Sequence, residues 1–278
     1  MTERVASDLA AALLDLKHKL GCRLCYLVHD YFSVCPRWCL VDLDNRYCGS
    51  EFSLRKCQGC LRDDSPEYRH EGGLDIRKWR EAFARLLNAA DEVRTFSRDA
   101  YERLRRIYPA ASLTLVPHKP AGDPLRRPRL SHRGIVVGVF GLNLEIKGRA
   151  MVDELEDYLM TLRREDVKVV RVTHYARNEM PDIVERNGIN IAFFSSVWPE
   201  TFSYVTQELM EMEVPIVCYN LGAPAERIAS YEKGLVIPEM TVESTWWTIE
   251  QLAGKLQREG AKECLRFRLS CPPTSGGF

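Results

Sequence analysis

Between residues 135 and 257 the chain repeats one pattern five times: a short apolar run, then a stretch with helical period. The runs cover 135–140, 167–172, 191–194, 215–219 and 235–238. They alternate with helical stretches over 149–163, 180–185, 204–212, 223–230 and 244–257. Strands that are apolar throughout, rather than alternating, are buried on both faces, which requires a parallel sheet with helices on either side. The pattern therefore predicts an α/β fold, with a complete Rossmann-like lobe over 134–262 and a tail over 263–278.

The first half is less regular. Leu9, Leu13, Leu16 and Leu20 recur at helical spacing over 7–20, and a short strand over 22–28 ends at His29 and Asp30. Residues 31–73 have no sustained period and many turn formers, which reads as a long Cys-rich loop. A helix over 75–91, a strand over 93–96, a helix capped by Ser97 and a strand over 113–116 follow. Prolines and arginines without period then mark a linker at 121–133. The first 120 residues thus make a partial α/β lobe. Cys22, Cys25 and Cys218 fall in the strand runs and read as small core residues.

The 39 basic and 39 acidic side chains cancel, so no nucleic-acid partner is expected. The opening residues lack the charged and apolar regions of a signal peptide, and no run reaches the ~18 apolar residues of a membrane span. A cytoplasmic protein is expected. The Arg-rich stretch 126–129 reads as a solvated basic loop, the alternative being a patch for peripheral contact with anionic lipid headgroups.

The segment with the most chemistry is Phe194-Ser-Ser-Val-Trp-Pro-Glu-Thr-Phe-Ser-Tyr-Val-Thr-Gln-Glu208. It joins the carboxyl end of a strand to a helix start, where open α/β sheets bind ligands. Amides from Phe202 through Ser203 and Tyr204 to Val205 then suit an anion such as a pyrophosphate. Glu200 and Glu208 lie eight residues apart, about 80° around a helix axis, so both can face one cleft. Spacing alone leaves them equally open to a role as solvated charges.

This segment resembles the Glu-x7-Glu signature of glycosyltransferase family four, whose members have the two-lobed GT-B architecture. The likeness continues through Glu211-Met-Glu-Val-Pro-Ile-Val-Cys-Tyr-Asn-Leu-Gly-Ala-Pro-Ala-Glu226-Arg227. Upstream, Val139-Phe-Gly-Leu-Asn-Leu-Glu-Ile-Lys147-Gly148 resembles the family's first donor-lobe strand and its Lys-Gly loop. Tyr26-Leu-Val-His29-Asp30-Tyr31 resembles its acceptor-lobe strand.

The resemblance implies a retaining transferase that moves a sugar from a nucleoside-diphosphate-sugar donor to a glycan or glycolipid acceptor, as in surface polysaccharide biosynthesis. It implies that Glu208 holds the ribose, Glu200 touches the transferred sugar and Lys147, beside Gly148, faces the diphosphate. His29 would stand near the donor sugar as a second catalytic residue, with Tyr175 near the nucleobase. Asn143 replaces a family arginine, which leaves Arg149 as a substitute. No cofactor is expected for catalysis.

The first lobe holds fewer strand–helix units than the family places there, so it reads as incomplete. The alternative is a truncated, inactive nucleotide-sugar-binding or scaffold protein. A nucleotide-dependent oxidoreductase would need Gly-x-Gly-x-x-Gly after a first strand, and the sequence has none.

Ten cysteines are many for 278 residues, and seven lie in the first 60. Cys57-x-x-Cys60 has zinc-knuckle spacing, and Cys35 with Cys48 completes four thiolates for a structural zinc. The alternative is a set of reduced, partly buried thiols.

Overall fold

The computed structural model describes residues 3–42, 44–50, 52–62, 74–117, 122–131 and 134–270, with side chains described from residue 7 to residue 258. Half of the predicted tail, from residue 271 on, and part of the predicted linker lie outside these residues.

The first lobe opens with α1 (Glu3–Leu20) and β1 (Cys25–Leu27), and then takes an irregular course to α2 (Leu54–Arg62). So the predicted loop 31–73 is interrupted by a helix, which places Cys57 and Cys60 one turn apart. Next come α3 (Ile76–Ala89), β2 (Glu92–Thr95), α4 (Arg98–Ile107) and β3 (Leu113–Leu115). The strands form a parallel sheet in the order β1-β2-β3. Asp75 caps α3 by accepting from the amides of Arg77 and Lys78. Trp79, Phe83, Leu86 and Leu87 of α3 fill the core at helical spacing, the pattern of an amphipathic helix on a sheet. Cys22 and Cys25 are exposed, not core: β1 is short and edge-placed, so its outer side chains have nothing to pack on.

The irregular segment after β1 is held by side chains of α3 and α4. Arg80 donates to the carbonyls of Val34 (3.0 Å) and Phe52 (2.9 Å) and to the Cys57 sulfur (3.3 Å). The Trp79 indole donates to the Phe32 carbonyl at 2.9 Å, and the Tyr108 hydroxyl to that of Ser33. Backbone groups that find no ladder partner are thereby satisfied from below.

The second lobe is doubly wound. Its strands β4 (Ile135–Phe140), β5 (Val167–Val172), β6 (Ile191–Phe194), β7 (Ile216–Tyr219) and β8 (Gly234–Ile237) make a parallel sheet ordered β5-β4-β6-β7-β8. Helices α5 (Arg149–Thr161) and α9 (Val242–Ser270) cover one face. Helices α6 (Met180–Asn187), α7 (Tyr204–Glu211) and α8 (Gly222–Ala229) cover the other. Continuous apolar strands therefore do lie between two helical layers. α9 runs to Ser270, beyond residue 262 where the sequence pattern closed the lobe. The chain reverses direction across the sheet between β4 and β6, and this switch point opens a crevice at the strand carboxyl ends.

Among the described residues, the contacts between the lobes include three that bear on the site. Trp198, from the loop after β6, is buried in the first-lobe core, edge-on to Trp38 (5.3 Å) and Tyr31 (6.5 Å). The Thr201 hydroxyl donates to the His29 carbonyl at 2.6 Å. Glu226 of α8 accepts from the amides of Arg98 (3.0 Å) and Asp99 at the start of α4, a carboxylate at the positive end of a helix.

The Arg-rich stretch is largely neutralised in place. Arg126 pairs with Asp182 and Glu185, and Arg127 with Glu213. No described helix is long and apolar enough to cross a membrane.

Candidate functional site

Two loops flank the switch point, one after β4 and one after β6, and they are joined edge to edge. The Ser195 hydroxyl donates to the Lys147 carbonyl (2.7 Å), and the Val197 amide to that of Ile146 (3.2 Å). Gly148 takes φ +82, and a Cβ there would sit 2.0 Å from the Ser195 carbonyl oxygen. Only glycine allows this approach. The close fit sets where Lys147 projects.

Lys147 Nζ stands 2.6 Å from Glu200 Oε1 and 5.8 Å above the Trp198 ring. The lysine side chain is 34% exposed and the glutamate 7%, so the pair forms a buried anion under a cation that reaches solvent. Gly222 (φ +62) lets the start of α8 close on this loop: the Ala223 amide donates to the Glu200 carbonyl, and a Cβ at 222 would lie 2.6 Å from that oxygen.

A cavity of ≈ 340 Å³ opens beside the pair, lined among others by His29, Gly141, Lys147, Glu200 and 201–205. Residues of both lobes, His29 and Glu200, thus share one wall. α7 starts here: the Ser203 hydroxyl accepts from the Thr206 amide at 3.2 Å, and Phe202 and Tyr204 pack edge to face. Arg227 braces this helix start from α8. It lies 4.9 Å over the Phe202 ring and donates to the Ser203 carbonyl and the Gln207 side chain.

Glu208 does not line this cavity. It faces the loop after β5, where Arg177 Nε lies 3.7 Å from its carboxylate and Arg177 also pairs with Glu211 at 2.5 Å. Burial raises the Glu208 pKa, and Arg177 offsets part of that. Tyr175 is close enough to feel the Glu208 charge, and burial first, then that charge, lifts its phenol to about 12. Tyr175 is also edge-on to Phe140 at 6.0 Å. The site therefore has two ends joined by the first turns of α7: Lys147, Glu200 and His29 at one, Tyr175, Arg177 and Glu208 at the other.

Arg149 is bound to Glu145 through two nitrogens, and with Asn143 it lines a smaller neighbouring hollow, which Lys147 also borders. Arg177 and Arg227 are the residues that sequence reasoning missed. Arg177 sits in the short connection after β5 and Arg227 on α8, and only the fold brings them to α7.

The raised Glu208 pKa has a measurable consequence. A ligand that hydrogen-bonds to the ionised carboxylate is lost as pH falls through that pKa, above the ordinary carboxylate range. Arg177→Gln removes the group that opposes the rise, so the midpoint is expected to move to still higher pH. Titrating nucleotide affinity against pH in both proteins checks this; an unmoved midpoint contradicts it. For folding the sign is opposite. A carboxylate with a raised pKa gains stability as it takes its proton, so Glu208 does not contribute to acid unfolding.

Two α/β lobes with parallel sheets, the second doubly wound, make a GT-B-like fold. Residues 141–258 match the family model for glycosyl transferases group 1. The structure is similar to HepE of Anabaena in complex with UDP, at TM-score 0.57 and 15% identity over 94% of this chain and 72% of that one. It is similar to sucrose-phosphate synthase of Thermosynechococcus elongatus at TM-score 0.52 and 17% identity, covering 68% of this chain and 55% of that one. It is also similar to TarM of S. aureus, in complex with fondaparinux, alpha-GlcNAc-glycerol and UDP, at TM-score 0.50 and 13% identity over 66% and 41%. The chain thus spans about half the length of the last two. No curated protein sequence matches it significantly.

Proposed function

We propose that the chain is a retaining glycosyltransferase of family four that takes a sugar from a nucleoside-diphosphate donor to a glycan or glycolipid acceptor. The observation that carries this reading is the Lys147–Glu200 pair, at the switch point and beside the start of α7. The donor diphosphate draws Lys147 from Glu200 and lies at the helix start, where dipole and cation stabilise the charge that develops on the leaving group. Glu200, released from the lysine, accepts hydrogen bonds from the sugar hydroxyls. Glu208 accepts from the ribose hydroxyls beside Tyr175.

The reaction is a front-face displacement. The bond from the anomeric carbon to the phosphate oxygen breaks while an acceptor hydroxyl bonds to the same face, and its proton passes to the departing phosphate. His29 flanks the sugar from the first lobe. HepE has been seen with UDP, UDP-glucose and glucose, which makes uridine donors the first to test.

Release of nucleoside diphosphate by wild type and by Glu200→Gln is the test. Turnover in wild type, reduced at least tenfold in the variant, is expected. A chain that binds donor and never turns it over is the second reading, an inactive nucleotide-sugar-binding protein. The three-stranded sheet of the first lobe favours that second reading.

A further inference from the structure

Cys35, Cys48, Cys57 and Cys60 come from three separate parts of the irregular first-lobe segment, yet all four line one cavity of ≈ 180 Å³. They lie within electrostatic reach of one another in every pairing. Cys57 and Cys60 project from successive turns of α2, the i, i+3 spacing that puts two side chains on one helix face. Among the described residues no three His, Cys, Asp or Glu side chains already surround one point. Bringing four sulfurs to about 2.3 Å from an ion therefore takes side-chain rotation within this cavity.

The charges around the thiols point the same way. Arg37 (1% exposed) and Arg80 (8% exposed) both line the cavity, and Arg80 already donates to the Cys57 sulfur at 3.3 Å. Two guanidiniums thus place two positive charges against the thiols. Four thiolates around a divalent ion carry a net charge of two minus, which two guanidiniums offset, while Asp42 and Lys56 on the same lining cancel. A guanidinium N–H directed at a ligating sulfur is also the kind of outer contact that orients a metal ligand.

We infer that Cys35, Cys48, Cys57 and Cys60 bind one structural zinc ion, with Arg37 and Arg80 as its counter-charges. The ion would fix the segment that carries Tyr31 and Trp38, the two aromatic side chains against which Trp198 packs two residues before Glu200. Its role is distinct from donor binding, so it stands or falls separately from the transferase reading.

The test is elemental analysis of the full chain purified without added metal, together with thiol titration in the folded state. About one equivalent of zinc is expected, with these thiols unreactive until a strong chelator is added and a lower Tm afterwards. Zinc below a tenth of an equivalent, with chelator leaving thiol reactivity and Tm unchanged, overturns the proposal. Cobalt substitution gives a second readout that does not depend on any variant folding: visible bands of tetrahedral thiolate coordination are expected, and their absence counts against the site. Cys22→Ser, an exposed thiol outside the cavity, is expected to keep the full zinc content; loss of the metal in that variant would also contradict the assignment.

Discussion

Lys147→Ala is expected to lower kcat about 10²–10³-fold, the range found when one preorganised group opposite a developing negative charge is removed. Lys147 and His29 are the basic side chains on the described lining of the cavity beside Glu200, so no neighbour on that lining replaces the lysine. Arg149 is the nearest candidate by sequence, and Glu145 already holds it. The loss also reaches the fold. Glu200 is 7% exposed and hydrogen-bonds to Lys147 at 2.6 Å. Without the lysine it is a buried carboxylate without its ion-pair partner, which costs more than the pair itself contributes. A second change, Glu200→Gln, is therefore expected to restore part of the Tm lost in Lys147→Ala while leaving turnover low. Steady-state release of nucleoside diphosphate and thermal melts of both variants check this. A single variant with kcat within threefold of wild type would remove Lys147 from the leaving-group role.

Gly148→Ala is expected to destabilise the chain by about 2–5 kcal/mol, from left-handed backbone strain and overpacking together. Its φ is +82, and the added Cβ would meet backbone, 2.0 Å from the Ser195 oxygen and 2.8 Å from its carbon. Neither atom can rotate away, so the loops after β4 and β6 must part. The hydrogen bond from Ser195 to the Lys147 carbonyl is then broken with them. Gly141 is the control. Its φ is +122, but a Cβ there has nothing within 4 Å, so Gly141→Ala is expected to show backbone strain alone. Urea unfolding of the two variants separates the effects; equal midpoints would mean that the close approach at Gly148 does not hold the site.

The second lobe was legible because its strands are buried on both faces. Residues 135–140, 167–172 and 191–194 were placed to the residue, since an uninterrupted apolar run bounded by turns has few other foldings. The helix start after Glu200 was legible for the same reason, as the first helical period after such a strand. What the period could not convey is contact between distant segments. Trp198 reads as part of a motif, yet its side chain plugs the core of the other lobe. Arg80 looks like a solvated helix charge, yet it braces backbone 28 and 46 residues away. Arg177 sits in a loop without pattern and meets Glu208 only because β5 ends at the crevice where α7 begins. Burial of Cys22 and Cys25 was misjudged because an apolar run at a sheet edge looks like one at its centre. Glu200 precedes α7 and Glu208 lies within it, as the sequence suggested, but they stand at opposite ends of the site rather than on one wall.

The proposed function requires the crevice between the loops after β4 and β6 to grip a nucleoside-diphosphate sugar. A thermal-shift screen of nucleotide sugars on wild type and Glu208→Ala tests it most directly, because a ligand that binds the folded chain at a hundred times its Kd adds about 2.7 kcal/mol. At least one donor is expected to raise the wild-type Tm by several degrees and to leave Glu208→Ala unmoved. A panel that shifts neither protein, or both equally, would contradict the account.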